Sequence, residues 1–161
     1  MEQFQFAYQA GLVSQLPQHI QDLVKAAEAA TQKAYAPYSR FNVGAAVLLT
    51  DGSVLTGANH ENASFPAGIC AERSVLGYLD MNAPEKVVAI AVAYRTEGDF
   101  HAPLSPCGLC RQTILEVQLH QDAPIAVYMT SPDGNMVMVE DARHLLPFFF
   151  SNDFLPGNAD A

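Results

Sequence analysis

The sequence has 161 residues, half of them hydrophobic, which suits one domain with a substantial core. Its 17 acidic residues against 8 basic ones give a formal charge of -9, which excludes binding to nucleic acid through neutralised phosphates as a main role. No stretch approaches the roughly 20 apolar residues that cross a bilayer, and the N-terminus lacks the basic segment of a secretory signal, so we expect a cytoplasmic protein without membrane partners.

The predicted elements begin after residues 1–15, an N-terminal extension whose order the sequence does not indicate. Apolar residues at helical spacing predict a first helix from Pro17 to about Tyr35. A β-hairpin follows, in which the strands FNVGAAVLLT and SVLTGA flank a DG turn.

The rest of the chain alternates between helices and strands. Helices are predicted from near Cys70 to Asp80 and from Cys107 to His120, with the strand KVVAIAVAYR between them, which is apolar enough to be covered on both faces. The strands PIAVYMT and NMVMV follow around an SPDG turn, and EDARHLL indicates a last short helix. This order predicts a three-layer α/β/α sandwich with a central mixed five-stranded sheet, formed by residues 1–161 as one domain.

All three cysteines lie in two short stretches, GICAER and SPCGLC, each at a predicted helix start. The free N–H groups of a helix N-terminus favour thiolates, and an odd number of cysteines cannot form a closed set of disulfides. Three protein ligands on zinc leave a fourth position open, as in catalytic sites, so Cys70, Cys107 and Cys110 are predicted to bind Zn²⁺. All five histidines lie outside these stretches, so a histidine is possible as the fourth ligand, but the motifs do not support one.

The residues that follow Cys70 suit such a site. Three thiolates leave zinc with a net charge of -1, so forming hydroxide requires nearby positive potential, which Arg73 can supply. Glu72 is placed to accept and donate protons. Alone, each feature is ordinary: a C-x-x-C motif before a helix is as readily redox-active, and a first-turn glutamate is common. Together, a thiolate, a neighbouring glutamate and a downstream P-C-x-x-C match the signature of a zinc-dependent deaminase.

From about Tyr35 to Phe154 the chain resembles the small, homo-oligomeric cytidine deaminases of pyrimidine salvage. The motifs that carry the resemblance, in order, are AYAPYSRFNVGAAVLL, GANHENAS, GICAERSVL, SPCGLCRQ, VYMTSPDG and LLPFFF. The resemblance implies a cytidine deaminase-like fold and zinc-dependent hydrolytic deamination of cytidine and 2′-deoxycytidine to the uridines, with release of ammonia. It also implies a homotetramer with shared active sites.

The matching positions carry expected roles. Glu72 takes a proton from the attacking water, protonates N3 of the base and then helps ammonia to leave. Asn59 and Glu61 hold the ribose 3′-hydroxyl, which agrees with the same-side position of alternate residues on an extended segment. A carboxylate near the sugar would also repel a 5′-phosphate, so nucleosides are favoured over nucleotides.

The resemblance assigns further contacts around the base. Phe41 packs against the nucleoside, and the backbone N–H of Ala71 meets the base O2. Tyr38 and Arg73 support the thiolates from behind. Phe150 reaches the site of a neighbouring subunit.

Three departures from the family pattern concern the pocket. His60 stands where the family usually has a small apolar residue, and we expect it to face away from the ribose. Phe65 lacks the hydroxyl of the tyrosine often found there. The PFFF run leaves open which of Phe148, Phe149 and Phe150 faces the pocket.

Three other functions compete with this one. Blasticidin S deaminase shares the zinc chemistry, but it lacks a ribose segment like NHEN and has another residue in place of Arg73. An RNA- or DNA-editing deaminase needs a basic, aromatic-lined channel, which this acidic chain does not offer. A non-enzymatic zinc protein would bind the metal and leave cytidine unchanged. The sequence leaves open the preference between cytidine and deoxycytidine, the tolerated analogues and the role of residues 1–15.

Overall fold

A six-stranded mixed sheet forms the middle of the fold in the computed structural model, which describes residues 1–98 and 100–155. The strands are β1 (Gln9–Leu12), β2 (Asn42–Leu49), β3 (Val54–Ala58), β4 (Val87–Arg95), β5 (Ala126–Thr130) and β6 (Asn135–Val139). The α-helices are α1 (Gln18–Ala30), α2 (Ala71–Leu76) and α3 (Gly108–Gln121), joined by loops and short 3-10 turns. None of the described helices has the length and apolar character to cross a membrane.

The strand order across the sheet is β1-β6-β5-β4-β2-β3. Every neighbouring pair is antiparallel except β4 and β5, which run parallel because α3 carries the chain back between them. The predicted number of five strands was wrong by one. The sixth strand, β1, comes from the N-terminal extension and pairs with β6 from Gln9↔Met138 to Leu12↔Asn135. Its sequence QAGL has neither β-branched residues nor alternating polarity, so neither propensity nor periodicity indicates a strand there.

Helices cover both faces of the sheet, as the three-layer prediction requires. One cluster packs α1 through Leu23 and Ala27 against alanines of β2 and β4. The other packs α2 and α3 through Val75 and Ile114 against the opposite face of the same strands. Along β4 every residue is buried except Val88 and Arg95, which confirms a strand covered on both sides.

A glycine in β3 lets α2 lie close to the sheet. A Cβ atom on Gly57 would lie 2.6 Å from the backbone nitrogen of Val75 and 2.8 Å from the carbonyl oxygen of Ala71. Both contacts are shorter than van der Waals distance and involve backbone, which cannot rotate away as a side chain would. Gly57 therefore fixes the height of α2, the helix that carries Glu72, above the sheet.

We expect Gly57→Ala to push α2 outward. Overpacking of this kind costs about 1–3 kcal/mol, so the thermal unfolding midpoint should fall and zinc should be held less well. The matched control is Gly108→Ala, because a Cβ atom there meets nothing within 4 Å. Thermal unfolding and zinc content of the two variants check this, and equal stability in both would contradict it.

Candidate active site

The three cysteines meet where two helices begin. Cys70 is the N-cap residue of α2 and Cys107 is the N-cap residue of α3, while Cys110 lies in the first turn of α3. The prediction that both cysteine stretches lead into helices is therefore confirmed. The first N–H groups of each helix have no partner within the helix, so they favour negative charge on these sulfurs.

The spacing of the sulfurs suits one metal ion. The Sγ atom of Cys107 lies 3.7 Å from that of Cys70 and 3.4 Å from that of Cys110, and all three lie within 4.8 Å of one another. Tetrahedral zinc with Zn–S bonds of about 2.3 Å separates its sulfur ligands by about 3.8 Å. A disulfide would bring two sulfurs to about 2.05 Å, and all three cysteines are free thiols. The donor set therefore fits Zn²⁺.

The thiols also show why a cation belongs here. A hydrogen bond from Cys110 is the main effect that lowers the pKa of Cys70 to about 6, and the charge of Arg73 acts in the same direction. The hydrogen bond to Cys70, together with burial, raises the pKa of Cys110 far above its ordinary value. Three sulfurs this close cannot all ionise unless a positive charge lies between them.

Within the described part of the chain, no fourth protein ligand joins the three sulfurs. In residues 1–98 and 100–155, no histidine, aspartate or glutamate places a ligand atom within 4.8 Å of all three. The histidine ligand that the sequence left open is therefore not found in this part of the chain. Three ligands leave one position for water or substrate, as in catalytic zinc sites.

Glu72 lies beside this cluster and is 4% exposed. Burial raises the pKa of its carboxyl above the ordinary value, and hydrogen bonds from its own N–H and from Cys110 oppose the rise. The side chain therefore holds a proton more readily than an exposed glutamate does. A group that both takes and gives a proton near neutral pH needs such a shift.

A cavity of about 660 Å³ opens in front of Cys70, Cys107 and Glu72, a size suited to a small molecule. The other residues that line it are Tyr38, Ser39, Phe41, Val43, Asn59, His60, Glu61, Asn62, Phe65, Gly68, Ile69, Ala71, Leu104 and Ser105. Among the described residues, this lining contains two acidic side chains and no lysine or arginine.

The two residues predicted to hold the ribose both border the cavity. Glu61 accepts hydrogen bonds from the backbone N–H groups of Tyr38 (2.8 Å) and Ser39 (3.3 Å) through Oε2. Hydrogen bonding by Ser39, aided by the N–H of Tyr38, holds the pKa of Glu61 below its ordinary value, so the carboxylate is charged at neutral pH. Its other oxygen takes part in none of these bonds and can accept from a sugar hydroxyl.

Asn59 holds the beginning of β2. Its Oδ1 accepts from the N–H of Val43 at 2.8 Å, and its Nδ2 donates to the carbonyl oxygen of Phe41 at 2.9 Å. Phe41 borders the cavity, as does Ala71, whose N–H is the first of α2 and has no partner within the helix.

The residues predicted to support the thiolates are placed differently from each other. Arg73 is half-buried and acts on Cys70 through its charge; no hydrogen bond joins its guanidinium to a sulfur in the described part of the chain. Tyr38 borders the cavity, and its ring packs edge-on against Phe65 with 5.8 Å between ring centroids. His60 borders the same cavity, and its ring lies 6.3 Å from that of Tyr35.

None of the three C-terminal phenylalanines borders the cavity of its own chain. Phe148 is fully exposed with a positive φ of 57°, and Phe150 is 57% exposed. The ring of Phe150 stacks on that of Phe154, and its carbonyl oxygen accepts a hydrogen bond from Gln112 of α3. The Phe150 side chain is therefore held at the surface.

One residue with a clear role at the site was missed in the sequence. The guanidinium of Arg111 donates to the carbonyl oxygens of Pro106 and Leu145 and to the Ser105 hydroxyl, at 2.8–2.9 Å. These bonds fix the turn that presents Cys107. The signal in the sequence was an arginine directly after Cys110, because a guanidinium can donate to several carbonyl oxygens at once and so can fix a neighbouring loop.

The family model described as "Cytidine and deoxycytidylate deaminase zinc-binding region" matches residues 17–124 of this chain. The cytidine deaminase of Halalkalibacterium halodurans is 43% identical over 131 residues, which cover 81% of this chain and 93% of that protein. The cytidine deaminase of Sporosarcina psychrophila is 37% identical over 84% of this chain and 94% of its own length.

Solved structures give the same result. The crystal structure of cytidine deaminase from Burkholderia pseudomallei matches with a TM-score of 0.70 and 41% identity, covering 84% of this chain and all of that one. The Mycobacterium tuberculosis cytidine deaminase matches with a TM-score of 0.62 and 34% identity, covering 82% of this chain and 97% of that one.

Proposed function

This chain belongs to the zinc-dependent cytidine deaminase family, and we propose that Cys70, Cys107 and Cys110 bind its zinc ion while Glu72 moves the protons of the reaction. The protein hydrolyses cytidine to uridine and ammonia. The observation that carries the residue assignment is the meeting of three sulfurs with a buried carboxylate beside a cavity of about 660 Å³.

Zinc, when bound, supplies Lewis acidity that makes water nucleophilic near neutral pH. Glu72 accepts the proton of the attacking water and gives it to N3 of the cytosine ring. Attack at C4 then yields a tetrahedral carbon that bears the new hydroxyl and the amino group. Glu72 takes the proton of that hydroxyl and delivers it to the amino group, so that the C4 carbonyl forms as the C–N bond breaks and ammonia leaves. The raised pKa of this buried carboxyl supports both directions of transfer.

The cytosine ring is oriented by the wall of the cavity. We assign Phe41 to packing against the nucleoside and the backbone N–H of Ala71 to the base O2. Tyr38 and Arg73 stabilise the thiolates from outside, with Arg73 acting through its charge. The same sulfur and carboxylate arrangement would suit any cytosine-like base, so the sugar contacts decide the substrate.

The sugar is held by Asn59 and Glu61 through its 3′-hydroxyl. Cytidine and 2′-deoxycytidine share that hydroxyl, so the proposal includes both. A deoxycytidylate substrate, which the family model also covers, is disfavoured by the lining of the cavity. A 5′-phosphate would find the carboxylate of Glu61 and no lysine or arginine among the described lining residues.

Purified protein with its full zinc content should convert cytidine, which is followed by the loss of absorbance in the cytosine band. The nucleotide dCMP is the comparison substrate. No loss of cytidine absorbance at full zinc content would overturn the proposal in favour of a structural metal. Faster turnover of dCMP than of deoxycytidine would overturn the nucleoside assignment.

Glu61→Ala should weaken the binding of cytidine by about tenfold or more, because a charge-assisted hydrogen bond is lost. It should change the binding of free cytosine little, since the base has no 3′-hydroxyl. KM for cytidine and the inhibition constant of cytosine measure the two effects. The matched control is Glu61→Gln, which keeps an acceptor oxygen for the N–H of Tyr38. Equal losses for nucleoside and base would contradict the sugar contact.

The active form is proposed to be a cytoplasmic homotetramer in which Phe150 contributes to a neighbouring site. The exposure of its ring, on a segment tethered to α3 through Gln112, supports this arrangement. Sedimentation equilibrium gives the mass of the assembly directly. A monomer that is fully active would overturn the shared site.

A further inference from the structure

Behind the wall of the cavity, the ring of Tyr94 stacks on the ring of Phe41. The ring centroids are 5.1 Å apart and the planes differ by 12°. We propose that Tyr94 is a positioning residue for the nucleoside: its ring holds the Phe41 ring from behind, and its hydroxyl anchors residues 100–102 ahead of α3. This inference rests on the proposed contact between Phe41 and the substrate.

The strand register places the two rings together. Tyr94 pairs with Val43 across β4 and β2, and Phe41 lies two residues before Val43 on the same side. Tyr94 is 5% exposed and is absent from the lining of the cavity, whereas Phe41 borders it. Any action of Tyr94 on the substrate therefore passes through Phe41 or through the loop.

The hydroxyl of Tyr94 is fixed at the other end. It lies 2.9 Å from the carbonyl oxygen of Ala102 and 3.2 Å from that of Phe100, toward which it donates. Two residues beyond Ala102, the N–H of Leu104 donates to the carbonyl oxygen of Thr130 at 3.1 Å. Leu104 borders the cavity and leads directly to the turn that presents Cys107.

Phe41 is thus held from two sides. Asn59 binds its carbonyl oxygen from the β3 side, and Tyr94 covers its ring from the β4 side. A ring that is already fixed loses little conformational freedom when a ligand packs on it, so affinity rises without a new contact. Among the described residues, no hydrogen bond joins Tyr94 to a cysteine sulfur or to Glu72. Tyr94 should therefore affect substrate binding and not proton transfer.

The test separates binding from chemistry. Tyr94→Leu is expected to raise KM for cytidine and Kd for uridine by about 3- to 10-fold, the range for loss of an aromatic pair. Its kcat and zinc content should stay near those of the unmodified enzyme. Tyr94→Phe keeps the ring and should recover most of the lost affinity. Val92→Ala is the matched control. Val92 is a buried residue of β4 that pairs with Ala45, so its truncation should lower thermal stability without changing KM.

An unchanged KM and Kd in Tyr94→Leu would overturn the inference. A rise of the same size in Val92→Ala would also overturn it, since it would indicate general loosening. If Tyr94→Leu does not fold, Tyr94→Met fills the space without a ring, and an unchanged KM there has the same meaning.

Phe41→Leu distinguishes failure of the premise from failure of the inference. If Phe41→Leu leaves KM unchanged, the proposed contact with the nucleoside is wrong and the role of Tyr94 falls with it. If Phe41→Leu raises KM and Tyr94→Leu does not, only the role of Tyr94 is wrong. In the double variant the two effects should combine to less than their product, because both act through one ring.

Discussion

Replacing Glu72 with glutamine should lower kcat for cytidine by about 10²- to 10⁴-fold, the range that general acid–base groups contribute. Glutamine has the same shape, so it keeps the packing of α2, but it cannot take or give a proton near neutral pH. The sulfurs of Cys70, Cys107 and Cys110 are untouched, so zinc should stay bound. Steady-state kinetics combined with metal analysis of the same sample measures both effects.

The control for Glu72→Gln is Glu116→Gln, which makes the same change of charge on the exposed side of α3. It should leave kcat and zinc content unaltered. Normal turnover in Glu72→Gln would show that another group moves the protons. If Glu72→Gln lost zinc together with activity, Glu72 would have a structural role at the metal site and not the proposed role in proton transfer.

Cys110→Ser should abolish both zinc binding and turnover. The hydroxyl of serine does not ionise near neutral pH and is a poor ligand for zinc. Cys110 has no solvent exposure, so water cannot replace the missing sulfur without opening the first turn of α3. The proposed zinc ion would join the N-cap residues of α2 and α3, so added zinc should raise the unfolding midpoint of the unmodified protein and not that of the variant.

Ile114→Val is the matched control for that variant. It trims a buried side chain one turn along the same helix and costs about 0.5–1.5 kcal/mol. It should lower stability while zinc content and turnover persist. A Cys110→Ser protein that retains its full zinc would show that the ion is held elsewhere.

The two cysteine motifs could be predicted from the sequence because the geometry within each motif is local. Cys107 and Cys110 lie one turn apart at a helix start, and Cys70 precedes a second helix with Glu72 in its first turn. Each of these relations spans a few residues and leaves a pattern in the chain. The strands of the core were predicted for the same reason, since long apolar runs such as β4 have few alternatives.

Contacts made by backbone groups in loops leave no such pattern. Alternation placed Asn59 and Glu61 on one side, but nothing in the sequence indicated that both side chains already bind the backbone of residues 38–43. The stack of Tyr94 on Phe41 depends on the register of β2 against β4, which hydrophobicity does not fix to a single residue. The strand β1 depends on a partner more than 120 positions away, so local propensity could not reveal it.

The pairing of β1 with β6 has a consequence for solubility. Without β1, the run Asn135–Val139 would end the sheet with unsatisfied N–H and C=O groups beside valine and methionine side chains. Such a border is a template on which chains add to one another and grow into fibrils. The strand β1 forms hydrogen bonds with those groups and becomes the new edge of the sheet. Because β1 has only four residues, one of them glycine, it is a far poorer template for strand addition. We therefore expect Gln9–Leu12, by covering this edge, to reduce edge-to-edge association of the folded protein.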